Sequence, residues 1–167
     1  MTPPGSAATL SVHLLGVPAA TLRFAQDQHD ALLRELELIT MGGDGGEADV
    51  ATLRSQLVDL RAIFTTFRPM VDHQMGERGA GSPDPTLDLT LVLPADLADR
   101  ADEGNELFDR LEARCGGQLL LARPPALASG FRTWFLSQVS CQLRGGATVS
   151  WPTWWAEHGD GSEPVPG

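Results

Sequence analysis

Leu87-Asp88-Leu89-Thr90-Leu91-Val92-Leu93 sets a leucine at every second position. A strand turns successive side chains to opposite faces, so this stretch reads as a strand with one face in the core. It is the reading that makes the chain α/β rather than a set of helices.

Outward from it, the pattern changes period. Downstream, Pro94 opens a helix whose apolar stripe is Leu97, Ala101, Phe108, Leu111 and Cys115, widened by Leu107 and stopped by Gly116-Gly117. Gln118-Leu119-Leu120-Leu121-Ala122 is short and wholly apolar, as a strand in the middle of a small sheet would be. Pro124-Pro125 leads into a last helix, roughly Ala126 to Arg144, closed by Gly145-Gly146. Upstream, Arg78 to Pro85 is a Gly-, Ser- and Pro-rich linker. Before it a helix from about Ala48 carries a seam of Val50, Leu53, Leu57, Leu60, Phe64, Phe67 and Val71, with Pro69 expected to kink or shorten it. Gly42 to Gly46 separates it from an antiparallel neighbour that opens at Val17-Pro18. That helix has Leu22, Ala25, Leu32, Leu33, Leu36 and Ile39 on its dry side, and Asp27, Asp30, Arg34 and Glu37 on its wet side. Asp30 and Arg34 stand one turn apart, as an ion pair would. Leu10 to Leu15 alternates and ends at Gly16, a second half-buried strand.

The order is therefore β-α-α-β-α-β-α: a two-layer α/β sandwich with a three-stranded sheet and helices mainly on one face. Residues 10–155 form the single domain. Residues 1–9 and 156–167 are expected to be disordered.

Composition narrows the function. Net charge is −10 and no basic stripe is present, which argues against nucleic acid. Every basic residue is arginine, so a P-loop and a Schiff-base lysine are both excluded. Cys115 and Cys141 form no Cys-x-x-Cys pair and sit in apolar helical contexts, where buried free thiols are expected. Met1 to Thr9 lacks a charged n-region, and no window reaches the length of a membrane span. A cytoplasmic protein with no membrane contact is the expectation.

No catalytic constellation emerges. Serines lack a Gly-x-Ser-x-Gly elbow, the glycine runs lack a dinucleotide fingerprint, and Asp99, Asp102, Glu103 and Glu106 lie on a wet helix face. His13, His73 and His158 have no metal-ligand spacing. Neither a cofactor nor a metal is expected, and the chain reads as a non-enzyme.

Three features carry alternatives. His29 lies on the apolar stripe of the first long helix, as a core histidine or as a ligand-contacting group. All four tryptophans and two of the six phenylalanines lie between Phe131 and Trp155. Leu127, Phe131, Trp134, Phe135, Val139 and Leu143 make the apolar face of the last helix, with Thr133, Ser137, Ser140 and Arg144 opposite. Gln138 and Gln142 fall inside that apolar face, where each must bond neighbouring backbone or meet a partner. Trp151-Pro152-Thr153-Trp154-Trp155 reads as a loop that either closes over the domain or forms a hot spot.

Leu14-Leu15-Gly16-Val17-Pro18, His29 before Leu32-Leu33-Arg34-Glu35, Leu93-Pro94, Cys115 before Leu119-Leu120, and Pro124-Pro125 are joined by Phe131-Arg132-x-Trp134-Phe135-Leu136, Gln142-Leu143-x-Gly145 and Trp151-Pro152. In these the chain resembles a small actinobacterial family encoded beside anti-sigma-factor antagonists (STAS proteins) and ATP-binding anti-sigma kinases. It departs from that pattern at Gln138, where an acidic residue is expected, and at Thr148 and Ser150, where prolines are. The resemblance implies an interaction protein in a partner-switching, stress-response circuit, with a STAS or kinase-like protein as partner. Its contact surface would be the last helix and the Trp loop, with Trp134, Gln138, Gln142, Trp151, Trp154 and Trp155, or else the open sheet face. The alternative is a small-molecule sensor whose apolar pocket, between the helical hairpin and the sheet, takes its polar contacts from His29, Gln138 and Gln142.

Overall fold

A computed structural model describes residues 8–42, 47–78, 85–114 and 124–159. Strand β1 (Thr9–Pro18) leads into α1 (Ala19–Gly42) and α2 (Glu47–Arg78), then β2 (Thr86–Pro94), α3 (Leu97–Arg114), α4 (Ala126–Leu143) and α5 (Trp151–His158). β1 and β2 pair antiparallel, with Thr9 opposite Pro94 and Val12 opposite Leu91. The leucine alternation has its expected effect: Leu87, Leu89, Leu91 and Leu93 are all buried, while Val92 on the other face is 57% exposed. Each such leucine contributes about 2 kcal/mol of transfer free energy. Val12, Leu14 and Val17 of β1 complete the buried face.

The class is α/β, as the alternation requires, but the details differ from the expectation. Among the described residues the sheet has two strands rather than three. The third expected strand, Gln118 to Ala122, lies outside them, as does Cys115. β1 does not stop at Gly16. It continues to Pro18 through an irregularity between Leu14 and Val17, and the helix begins only at Ala19. Gly16 has φ +71°, a left-handed conformation that side chains disfavour, and its N–H donates to Asp88 Oδ1 at 2.8 Å. Pro94 ends β2 rather than opening α3.

Pro69 does not end α2, which runs on to Arg78. Of the seam expected along α2, Phe67 and Val71 are buried, and the side chains of Val50, Leu53, Leu57, Leu60 and Phe64 lie outside the described set. Ala156 to His158, placed by sequence in the tail, belong to α5. Trp151 to Trp155 is therefore the body of a short helix and not a loop. Pro152 suits its first turn, where a missing N–H costs nothing.

The helices cover the inner sheet face. α4 and α5 pack on β1, α2 packs on β2, and α3 packs along α4. None of the helices, among the described residues, is long and apolar enough to cross a membrane.

Candidate functional site

α4 positions most of the residues singled out by sequence, because it is covered nearly all round. Its supposed wet side faces α3: Asn105 Nδ2 donates to Thr133 O at 3.4 Å and to Ser137 Oγ at 3.2 Å. Ser140 is buried and accepts from Arg144 Nη1. Arg144 itself is held by Asp99 and Asp102 at 2.6 and 2.7 Å. Two carboxylates from the acidic face of α3 thus hold the C-terminal end of α4. Cys141, expected to be buried, is an exposed free thiol.

The two glutamines bond backbone. Gln142 Oε1 accepts from His13 N–H and its Nε2 donates to His13 O, both at 2.8 Å. Gln138 Oε1 accepts from Val149 N–H at 2.9 Å and from Gln142 Nε2 at 3.2 Å. Trp134 Nε1–H donates to Val149 O at 3.0 Å, so the segment between α4 and α5 is tied to α4 by both its backbone groups at Val149. Trp134 and Trp151 are buried, with ring centroids 5.5 Å apart. Of the six residues assigned to a contact surface, Trp134, Gln138, Gln142 and Trp151 are therefore interior. Trp154 and Trp155 remain half-buried, stacked on Trp151 at 5.9 and 5.0 Å.

His29 is elsewhere. It lines a cavity of about 80 Å³ between α1, α2 and α4. α1 contributes Leu22, Ala25 and Leu32 at helical spacing, α2 contributes Phe67 and Val71, and α4 contributes Ala128, Phe131 and Phe135. Phe67 meets Phe135 edge to face at 5.1 Å. Of the three residues expected to line an apolar pocket, only His29 lines this one. The cavity lies among helices rather than against the sheet, and Gln138 and Gln142 do not line it.

Two arginines that the sequence assigned to no site, Arg68 and Arg132, add charge to the cavity. Arg68 holds Asp30 with Nη1 at 2.7 and 2.9 Å from the two carboxylate oxygens. This half-exposed pair lines both the cavity and a more open depression that also includes Arg34, Arg61 and Thr65, and so marks the mouth. The bond from Arg68 holds the Asp30 carboxyl below the usual carboxylate range. The Asp30–Arg34 pair suggested by spacing does not form; Arg34 Nε donates instead to the Asp30 backbone carbonyl at 3.2 Å.

Deeper in, Arg132 is only 9% exposed. Its Nη2 donates to Glu112 Oε1, which also accepts from Ser129 Oγ at 2.8 Å. The guanidinium carbon lies 4.0 Å from the centroid of Phe108, whose ring also meets His29 edge-on at 5.5 Å. Arg132 Nε is buried and has no hydrogen-bond partner among the described residues. Burial, and secondarily the charge of Arg132, pushes the His29 pKa down to about 4, so its ring is neutral near pH 7.

Arg68 and Arg132 could not be told from solvated helix arginines by local sequence. The one usable signal was Arg132 beside the aromatics Phe131, Trp134 and Phe135. Among the described residues no group of three or more His, Cys, Asp or Glu is placed to hold a metal. No family model, curated protein or solved structure matches the chain.

Proposed function

We propose that this protein is a non-enzymatic, cytoplasmic binding module that takes up a small, mainly apolar molecule between α1, α2 and α4. The make-up of the cavity carries this reading. An apolar hollow walled by Phe67, Phe131 and Phe135, with a few converging polar groups, has the make-up of a small-molecule site. The chemistry of the lining favours binding over turnover. His29 is neutral, Asp30 is held by Arg68, and no Ser, Thr or Cys is among the described lining residues.

A thermal-shift screen with small apolar and aromatic fragments tests it, because a ligand for the native state raises Tm by mass action. Compounds that raise Tm in the wild type should lose their effect in Ala128→Phe or Ala25→Phe, which fill the cavity from opposite walls. A screen without a single such compound would remove the reading.

The partner-switching role implied by the family resemblance is a second reading, favoured by Trp154 and Trp155 remaining half-buried on α5. On this reading the module reports its state to a STAS or kinase-like protein through that end. Trp154→Ala should then abolish binding to such a protein and leave the fold intact. No binding by the wild-type chain would exclude it.

A further inference from the structure

We infer that the ligand of this cavity is an uncharged molecule, an apolar body with one hydrogen-bond acceptor that reaches the buried Nε–H of Arg132. The inference rests on the binding reading above and adds the chemistry of the occupant.

Two observations lead to it. The first is the donor. Arg132 lines the cavity and is more than nine-tenths buried, yet its Nε has no hydrogen-bond partner among the described residues. A buried N–H on a charged group is costly to leave unpaired, and a carbonyl, ester or ether oxygen on a ligand would satisfy it. Glu112 and Phe108 occupy Nη2 and one face of the guanidinium, and Nε is a buried donor of the group with no partner among the described residues.

The second is the charge balance. The positive charge of Arg132 is already matched by Glu112, and that of Arg68 by Asp30. His29, between them on α1, is neutral near pH 7. With both guanidinium charges matched, an ion of either sign would bring an unmatched charge into a largely apolar cavity. A neutral acceptor meets no such penalty. The walls of Phe67, Phe131 and Phe135 suit an aromatic or compact aliphatic body.

Three probes of similar size separate the possibilities: acetophenone carries a neutral acceptor, ethylbenzene carries none, and benzoate carries a charge. Each is titrated into the full-length protein by NMR, with the Arg132 Nε–H side-chain resonance as reporter. Acetophenone should bind about tenfold or more tightly than either of the others, as expected of a hydrogen bond to a charged donor. It should also shift the Nε–H signal saturably. In Arg132→Lys, which keeps the charge but lacks the Nε donor, acetophenone should lose its advantage over ethylbenzene. If that variant does not fold, the wild-type resonance alone decides.

Ethylbenzene binding as tightly as acetophenone, or an Nε–H signal unmoved by bound acetophenone, would overturn the anchor and leave the binding reading standing. Benzoate binding more tightly than acetophenone would overturn the neutral class and likewise spare the cavity as a site. Failure of all three to bind would count against the cavity itself and take this inference with it.

Discussion

The side-chain amide of Gln142 pairs with both backbone groups of His13, at 2.8 Å in each direction. Gln74 of α2 does the same to Thr90, accepting from its N–H at 2.9 Å and donating to its carbonyl. His13 and Thr90 face each other across the two strands, and their side chains meet at 3.2 Å between Nδ1 and Oγ1. Two glutamines therefore occupy opposite edges of the ribbon at one cross-strand pair, each standing where a neighbouring strand would bond. An open edge offers unpaired N–H and C=O groups to other chains, and here helices cover it.

Gln142→Leu should cost about 2 kcal/mol, because the amide is buried and bonds an N–H and a carbonyl that would both be left unpaired. Gln74→Leu should cost about 1 kcal/mol, since its more exposed site lets water replace the amide. Urea unfolding with unchanged m-values measures both. Equal costs would mean that burial of the two edges does not differ in energetic terms.

Gly16 combines a left-handed backbone with a close neighbour: a Cβ there would stand 2.9 Å from Pro152 Cδ. Gly145 also has a positive φ, +81°, but nothing lies within 4 Å of a Cβ on it. Gly145→Ala should therefore cost about 1 kcal/mol from conformation alone, and Gly16→Ala about 2 to 4 kcal/mol from conformation and overpacking together. Thermal or urea unfolding of the pair separates the two effects. A Gly16→Ala variant as stable as Gly145→Ala would show that α5 does not rest on the β1 bulge.

His29 sets an acid sensitivity whose sign follows from its direction of shift. Its folded pKa is lowered to about 4 from 6.5, by burial first and then by Arg132, while Asp30 opposes and Arg68 adds to the lowering. Between those values the unfolded chain binds a proton that the folded chain refuses. Stability therefore falls as pH drops from about 6.5 to about 4, and this contribution is flat outside the window. Between about pH 7 and about pH 5 the loss should be about 2 kcal/mol in the wild type. It should be nearly absent in His29→Gln. Parallel slopes for the two proteins would place the neutral ring in water.

The Arg132–Glu112 pair is buried, so removing one member leaves the other charge unmatched. Arg132→Leu alone should cost about 3 to 5 kcal/mol, and the double variant with Glu112→Leu should recover most of it. Urea unfolding of the four proteins in a double-mutant cycle reads the coupling. Additive losses would mean that the two charges do not meet.

Local pattern revealed much of the framework for identifiable reasons. Leucine at every second position in β2, and apolar residues at helical spacing in α1 and α3, report burial on one side through period alone. Gln138 and Gln142 fall on the apolar face of α4, and of the two outcomes open there the structure shows bonds to backbone, not a partner surface. The fifth helix was missed because eight residues are too few to show a period. Ser150 followed by Pro152 was the start signal that spacing could not supply. The opposite face of α4 was misjudged, since Thr133, Ser137 and Ser140 look solvated until α3 is laid over them.

The sequence by itself determined that the chain is α/β, that its strand leucines face inward, and that it has no lysine for a P-loop or a Schiff base. Those conclusions depend only on neighbours in the chain. Tertiary structure alone decided that Asp30 meets Arg68 instead of Arg34, that Gln142 and Gln74 close the two sheet edges, and that His29 and Arg132 share one cavity. These pairs join residues from 16 to 129 positions apart. What brings them together is the packing of helices on helices and on the sheet, which no local period encodes.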